Sequence, residues 1–287
     1  MTPLTPKPPV PSAEVPEKQT PRISVIIVSL NRIETLRASL KALGAEHQVI
    51  VVDNGSTDGS ETIVQEFPNI LFHQLPKNFG LTKALNIGLR AAEGEYLLCL
   101  HDDACITADA VTRLADYLEA HAEAGAVCPF LTDAAGNPVP QVRSLPGPSN
   151  PAPELRLPGD AEELTVDGVS CAAIMFRSFF LRALRHVDEH YGTYGPAIEI
   201  PMQVRRANKK VVILHSVTAI HEISPSPVPA SVLAGDRAAG TAVYLSKHFG
   251  LTNGMFYRLK TAFSALFTLR FSVLAGAISG QKIDGTG

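Results

Sequence analysis

From Ile23 onward the chain alternates between two hydrophobic periods. Ile23-Ser-Val-Ile-Ile-Val-Ser29 and Gln48-Val-Ile-Val-Val-Asp53 are continuous β-branched runs, the pattern of strands buried on both faces of a parallel sheet. Shorter runs at 70–74 and 95–100 predict two further strands, and helical spacing over 33–43, 60–66 and 82–92 fills the intervals. The turn cluster Asn54-Gly-Ser-Thr-Asp-Gly59 supplies N-cap residues for the second helix. Strand, helix, strand, helix predicts a βαβ sheet, and such sheets bind ligands at the carboxyl ends of their strands. Three of those ends are polar: Ser29-Leu-Asn-Arg32, Asp53-Asn54-Gly55-Ser56 and His101-Asp102-Asp103. They are expected to face one crevice.

The flanks read differently. Residues 1–21 hold seven prolines and no apolar run of signal-peptide length, so an extended tail is expected, with the folded domain starting near Arg22. In 255–279, Phe256, Leu259, Phe263, Leu266 and Phe267 recur at helical spacing, while Arg258, Lys260 and Arg270 interrupt the run. It falls short of the ~18–20 apolar residues that span a bilayer. Two readings stand: a helix docked on its own domain or on a second copy in a homodimer, or a helix lying on a membrane surface.

Composition narrows the partners. The 287 residues are 45% apolar and 18% charged, enough for one large domain or two small ones at roughly 100–200 residues each. A net charge of -3, from 25 basic and 28 acidic residues, gives no electrostatic reason to expect nucleic acid. Cys99, Cys105, Cys128 and Cys171 form no C-x-x-C pair, which suggests neither a disulfide framework nor a zinc cluster and fits a reducing, cytoplasmic compartment. Tryptophan is absent, so sugar contacts would have to come from Tyr, Phe, His and hydrogen-bonding side chains.

Taken singly, the polar residues leave alternatives open. Asp102 and Asp103 are adjacent carboxylates that raise each other's pKa. A divalent cation, Mg²⁺ or Mn²⁺, would relieve the repulsion and hold the phosphates of a nucleotide diphosphate; alternatively, one of the two caps a helix beginning near Thr107. Asp53 is a turn residue or an acceptor for a base or ribose. Arg32 is a solvated charge or a phosphate contact, and His221 a strand-end histidine or a ligand.

Together they form a pattern. Ile23 to Arg32, then Val-Val-Asp53-Asn-Gly-Ser-Thr-Asp-Gly59, Asn78-Phe-Gly80 with Ala84-Leu-Asn86-Ile-Gly88, and Gly94-Glu-Tyr-Leu-Leu-Cys-Leu-His-Asp-Asp103 resemble the family 2 glycosyltransferases of the nucleotide-diphospho-sugar transferase superfamily. The resemblance continues through Val166 to Arg177, Val187-Asp-Glu189, Tyr194-Gly195, Arg205-Arg-Ala207 and Val217-Thr-Ala-Ile-His221. It implies a GT-A fold, an α/β architecture with a single Rossmann-like mixed sheet flanked by helices, over 22–225, followed by a C-terminal helical extension over 226–287. It also implies transfer of a sugar from a nucleotide-diphosphate donor, UDP- or dTDP-linked, to a hydroxyl of a glycan or lipid-linked acceptor. Inversion, a requirement for Mg²⁺ or Mn²⁺, and a place in surface polysaccharide or glycolipid synthesis at the inner face of the cell membrane accompany it.

Carried over by position, Ser29, Asn31, Arg32, Asp53, Asn54 and Ser56 would serve the nucleotide. Asn78, Lys83 and Asn86 would line the sugar or phosphate side. The family's D-x-D falls on His101-Asp102-Asp103, so Asp103 keeps the last acid, His101 replaces the first, Asp102 adds a donor-side carboxylate, and His221 completes a metal site with Asp103 and His101. The family's base belongs to a Glu-Asp pair, which here is Pro196-Ala197. Neither can take a proton. The resemblance then leaves Glu199 as the substitute base, Asp188 or Glu189 from the preceding loop, or a degenerate sugar-nucleotide-binding subunit without turnover. A nucleotidyltransferase reading lacks support, since no Gly-rich, Lys-bearing loop follows the first strand.

Overall fold

The computed structural model describes residues 20–183, 186–280 and 283. The expected tail up to residue 19, and residues 281–282 and 284–287 of the expected extension, lie outside them. The first half runs β1 (Ile23–Ser29), α1 (Ile33–Leu43), β2 (Gln48–Asp53), a 3-10 turn at Ser60–Thr62 leading into α2 (Ile63–Glu66), β3 (Leu71–Gln74), α3 (Leu81–Ala91) and β4 (Tyr96–His101). Each lies where the hydrophobic period predicts it. Next come β5 (Ala104–Cys105), α4 (Ala108–Ala120), β6 (Ala124–Thr132), β7 (Val142–Arg143), β8 (Glu163–Val166), β9 (Gly168–Val169), β10 (Ala173–Arg177) and α5 (Ser178–Ala183). A 3-10 segment, Glu189–Tyr194, leads into α6 (Gly195–Arg206), followed by β11 (Lys210–His221), α7 (Ala230–Phe249), α8 (Leu251–Phe267) and α9 (Phe271–Ser279).

The main sheet has the order β3-β2-β1-β4-β10-β6-β11-β5, with β8 also on β11. Strands β1 to β4 are mutually parallel where they pair, β10 is antiparallel to both β4 and β6, and β11 is parallel to β6. This is the mixed sheet expected above. The chain builds outward from β1 through β2 to β3, then returns to place β4 on β1's other edge, so the topological switch lies between β1 and β4. Register sets Ser29 level with Asp53 and Val28 level with His101, and the three polar clusters therefore meet at one end of the sheet.

Alternation along the strands divides the core. Val25, Ile27, Val51 and Leu98 pack with Leu36 and Leu40 of α1 and Leu114 of α4. Ile26, Ile50, Val52 and Cys99 face the other way, toward Leu85 and Leu89 of α3 and Ile200 and Val204 of α6. Gly88 lets α3 lie close to β1, since a Cβ there would come within 2.4 Å of Ile26 Cγ2.

The C-terminal extension is helical, and its helices bury their surfaces unevenly. Helix α7 has no one-sided apolar stripe in sequence; its small residues Gly235, Ala238, Ala239, Gly240 and Ala242 are buried around much of its circumference, which lets other helices approach closely. Helix α8 packs on α7 and α9 but buries Gly254 and Ala265. The apolar face for which docking and a membrane surface are both open readings, Phe256, Leu259, Phe263, Leu266 and Phe267, is exposed, with Phe256 at 69%.

Candidate active site

The loops at the strand ends are fastened to one another. Asn31 takes a positive φ of 51°, its N–H donates to Ser56 Oγ at 2.8 Å, and its Oδ1 accepts from Thr57 N at 2.7 Å. Asp58 Oδ2 accepts from Ile33 N at 2.9 Å, so the β2 loop caps the start of α1. Asn54 donates to Asn78 Oδ1 at 2.9 Å and accepts from Phe79 N at 2.9 Å, which ties in the loop after β3. Gly55 has a φ of +85°, and a Cβ there would lie 2.5 Å from the Lys77 carbonyl carbon. Only glycine fits that turn. Asp53 is fully buried and its Oδ1 accepts from Ser56 N at 3.1 Å, whereas Oδ2 has no partner among the described residues. Burial pushes its pKa up.

At the end of β4, Arg32 does what sequence reasoning assigned to an external cation. Its guanidinium lies 3.1 Å from Asp102 Oδ1 and 3.0 Å from Asp103 Oδ2, and also donates to the backbone carbonyls of Ser224 and Pro225 at 2.9 and 2.8 Å. Asp102 Oδ2 accepts from Ser29 Oγ at 2.9 Å. Neither aspartate caps α4; Thr107 does, accepting from Ala110 N at 3.3 Å. Truncating Arg32 to methionine leaves two buried carboxylates uncompensated, and a loss of about 3–5 kcal/mol is expected. Thermal unfolding with and without Mn²⁺ checks this, the ion restoring part of the loss.

Asp103 Oδ1 is turned toward two imidazoles. It lies 3.2 Å from His221 Nε2 and 3.8 Å from His101 Nδ1, buried and without a further partner among the described residues. One ligand atom from each of the three residues lies within 4.8 Å of the others. Burial lowers His101 to about 4, leaving its imidazole neutral. Burial alone would raise Asp103, but the His221 contact and neighbouring charges hold it at about 2. Two imidazole nitrogens and one carboxylate oxygen form a donor set that fits a divalent cation.

Ser29, Arg32, Asn54, Asn78, His101 and Asp102 line a cleft of about 200 Å³, with Asn31, Asp53 and Ser56 in the loops that shape it. Lys83 and Asn86 lie elsewhere. Lys83 Nζ sits 4.9 Å above the Phe79 ring, and Asn86 is spent on the loop before α6, donating to Val187 O at 2.7 Å and Glu189 Oε1 at 3.1 Å. A second cavity of about 240 Å³ adjoins the cleft; both are walled by Val28, Leu81, His101, Thr193, Ser226 and Leu233.

Pro196 and Ala197 face this second cavity; Glu199 lines neither space. The residue is 4% exposed, and its carboxylate is held by Gln203 Nε2 at 2.6 Å, Lys247 Nζ at 3.1 Å and His248 Nε2 at 3.1 Å. The expected substitute base is thus enclosed in an ion cluster between α6 and α7. Asp188 is bound to the same Lys247 at 2.9 Å. Sequence reasoning missed Lys247 and His248 because they lie at the end of a helix whose pattern it did not read, and missed the Ser224–Pro225 carbonyls because backbone acceptors have no sequence signature.

Comparison with known proteins agrees with this architecture. The family model described as Glycosyl transferase family 2 matches residues 24–183. A poly-beta-1,6-N-acetyl-D-glucosamine synthase of Staphylococcus epidermidis is 30% identical over 117 residues, 38% of this chain and 28% of that protein. A cholesterol galactosyltransferase of Borreliella burgdorferi is 37% identical over 86 residues, 27% of this chain and 24% of that one. The matched stretch is thus about a quarter of these relatives' length. Among solved structures, S. aureus TarS 1-349 in complex with UDP-GlcNAc superimposes with a TM-score of 0.55 at 20% identity, covering 87% of this chain and 72% of that one. The mannosyltransferase PcManGT of Pyrobaculum calidifontis, in complex with GDP-Man and Mn²⁺, gives 0.55 at 15%, covering 92% and 88%. These likenesses show the fold, that of the GT-A glycosyltransferases. With more than half of its length matched by one family model, the chain belongs to glycosyl transferase family 2.

Proposed function

We propose that the chain binds a nucleotide-diphosphate sugar in the cleft at the ends of β1, β2 and β4, and transfers the sugar with inversion to a hydroxyl of a glycan or lipid-linked acceptor. The observation that carries this reading is the position of His101, Asp103 and His221 beside that cleft, with Asp103 Oδ1 buried against His221 and otherwise unpartnered among the described residues. Asp53 Oδ2, at the end of β2, is a second buried acceptor without a partner among the described residues, which we assign to an N–H of the base. Asn54, Ser56 and Asn78 fix the loops around it, and Ser29 with Arg32 holds Asp102 in place. His101, Asp103 and His221 would hold the metal. Bound there, a divalent cation supplies positive charge against the leaving diphosphate. Two imidazoles in the set favour Mn²⁺ over Mg²⁺, which prefers oxygen.

The test is calorimetry and donor consumption across UDP-, dTDP- and GDP-sugars with Mn²⁺. Metal-dependent binding with sustained transfer supports the reading, and absence of binding by every nucleotide removes it. A second reading is favoured by Pro196, Ala197 and the enclosed Glu199: a sugar-nucleotide-binding subunit without turnover. A missing general base costs roughly 10²–10⁴-fold in rate. Binding without transfer to any acceptor selects this second reading.

The exposed face of α8 supports contact with a membrane surface, at the inner face of the cell membrane. Among the described residues no helix is long and apolar enough to cross a membrane, but Phe256, Phe263 and Phe267 are all at least 66% exposed, with Arg258 and Lys260 on the same helix. Co-sedimentation with anionic liposomes is expected, and the triple change of these phenylalanines to serine should abolish it. Equal sedimentation of the two proteins discards the membrane role and leaves a homodimer face to be tested by analytical ultracentrifugation.

A further inference from the structure

Arg143 closes β7, which pairs with β9. Its stem lies over Gly168, where a Cβ would come within 3.3 Å of Arg143 Cγ. The residue is 8% exposed and its side chain lines the second cavity. Nε has no hydrogen-bond partner, and among the described residues Arg143 has no ion pair. Arg32 differs in being ion-paired with both Asp102 and Asp103, although its Nε is likewise unpartnered.

A buried guanidinium cannot shed its proton, and leaving it unpaired is costly. Among the described residues no carboxylate compensates for it. Burial pushes the nearby Cys171 thiol up to about 12, so that group is neutral. Arg237, whose Cζ lies 5.0 Å from the Tyr194 ring centre, adds a second cation on the same side. The rest of the wall is largely apolar, with Leu85, Ile174, Pro196, Ala197 and Ile200, and Ser170 and Tyr194 supply hydroxyl groups. The positions where the family carries an acidic pair are here uncharged. A neutral sugar would leave the guanidinium desolvated, whereas a carboxylate or phosphate would meet its planar fork with two hydrogen bonds.

We propose that Arg143 is the recognition residue for an oxyanion, carboxylate or phosphate, borne by the sugar or acceptor that fills this cavity. The proposal rests on the sugar-transfer reading only for the cavity's role; the anion preference stands on Arg143 itself. The substrate class is then an acidic or phosphorylated sugar.

The experiment titrates the full chain with glucuronate, glucose 6-phosphate and glucose, each with and without UDP and Mn²⁺, by calorimetry and ligand-observed NMR. One of the two charged sugars is expected to bind at least about tenfold tighter than glucose, as a charge-assisted hydrogen bond provides. Which of the two it is distinguishes carboxylate from phosphate. Arg143→Gln should bring the charged sugar within about threefold of glucose, Arg143→Lys should fall between, and the thermal midpoint and UDP binding of both variants should remain. Equal binding of the three sugars to the unmodified chain overturns the proposal, as does a charge preference that survives in a folded Arg143→Gln. If that variant fails to fold, the three-sugar comparison on the unmodified chain and on Arg143→Lys decides. A charged-sugar preference without any nucleotide binding would sink the sugar-transfer reading alone, and nucleotide binding without the preference would sink this one alone.

Discussion

Replacement of Asp103 by alanine is expected to weaken Mn²⁺-dependent binding of the nucleotide sugar by more than about 100-fold, since even outer-shell changes at metal sites cost 10–100-fold. The carboxylate has two tasks. Oδ1 faces the imidazoles of His101 and His221, while Oδ2 accepts from Arg32 at 3.0 Å and from Ser224 N at 3.2 Å. Alanine ends both, so a drop in thermal midpoint should accompany the lost affinity. Asp103→Asn separates them. It keeps an oxygen for Ser224 and removes the negative charge, so the fold should largely remain while metal-dependent binding is lost. Calorimetry of each variant with Mn²⁺ and the donor that the unmodified chain prefers provides the measurement. Undiminished affinity in both would remove Asp103 from the site.

Glu199→Gln is expected to act first on stability. Neutralising the carboxylate weakens the charged hydrogen bonds from Lys247 and His248, while Lys247 keeps Asp188 at 2.9 Å, a change of about 1.5–3 kcal/mol. At roughly 2–4 °C per kcal/mol for a chain of this size, the midpoint should fall by about 5–10 °C at pH 7. The pH profile carries a second signature. Burial alone would raise Glu199, but His248, Gln203 and Lys247 bring it down to about 2. A carboxyl whose folded pKa lies below its unfolded value contributes stability above the unfolded value, near 4.5, and loses that contribution as pH falls toward 2. Asp103 and Asp188, both also held at about 2, add to the same decline. The unmodified chain should hold its midpoint above about pH 5 and lose it steeply below 4.5, whereas Glu199→Gln should start lower and decline less. Well below its midpoint the variant should still bind the donor. If instead transfer vanished and the melting curve stayed unchanged, Glu199 would be the base after all.

The sequence made the βαβ half readable because buried parallel strands leave unbroken β-branched runs, and because polar residues right after such runs must sit at the sheet's ligand-binding end. His101, Asp103 and His221 are neighbours, as the family resemblance implied, although nothing in the local sequence of His221 distinguishes it from an ordinary strand-end histidine. The charge balance was not readable. Arg32 finds Asp102 and Asp103 across the sheet and Ser224 and Pro225 from beyond β11, and such long-range pairing leaves no periodic trace. Glu199 looked available because its captors, Lys247 and His248, belong to α7, which is buried by small residues on several sides rather than along one stripe. Helical spacing found the apolar face of α8, yet spacing alone cannot say whether a face is covered, and this one is open to solvent.

The register that levels Ser29 with Asp53 and Val28 with His101 also divides Ile26 from Ile27 between the two halves of the core. In a strand these are one periodicity, and a slip by one residue would turn every side chain to the opposite face. The interior of β1 therefore works as a vernier for the groups at its end. Enlarging Ile26 or Ile27 to a ring would misalign Ser29 and Asp102 without touching either, and variation in the oily middle of the sheet would surface as altered chemistry at its edge.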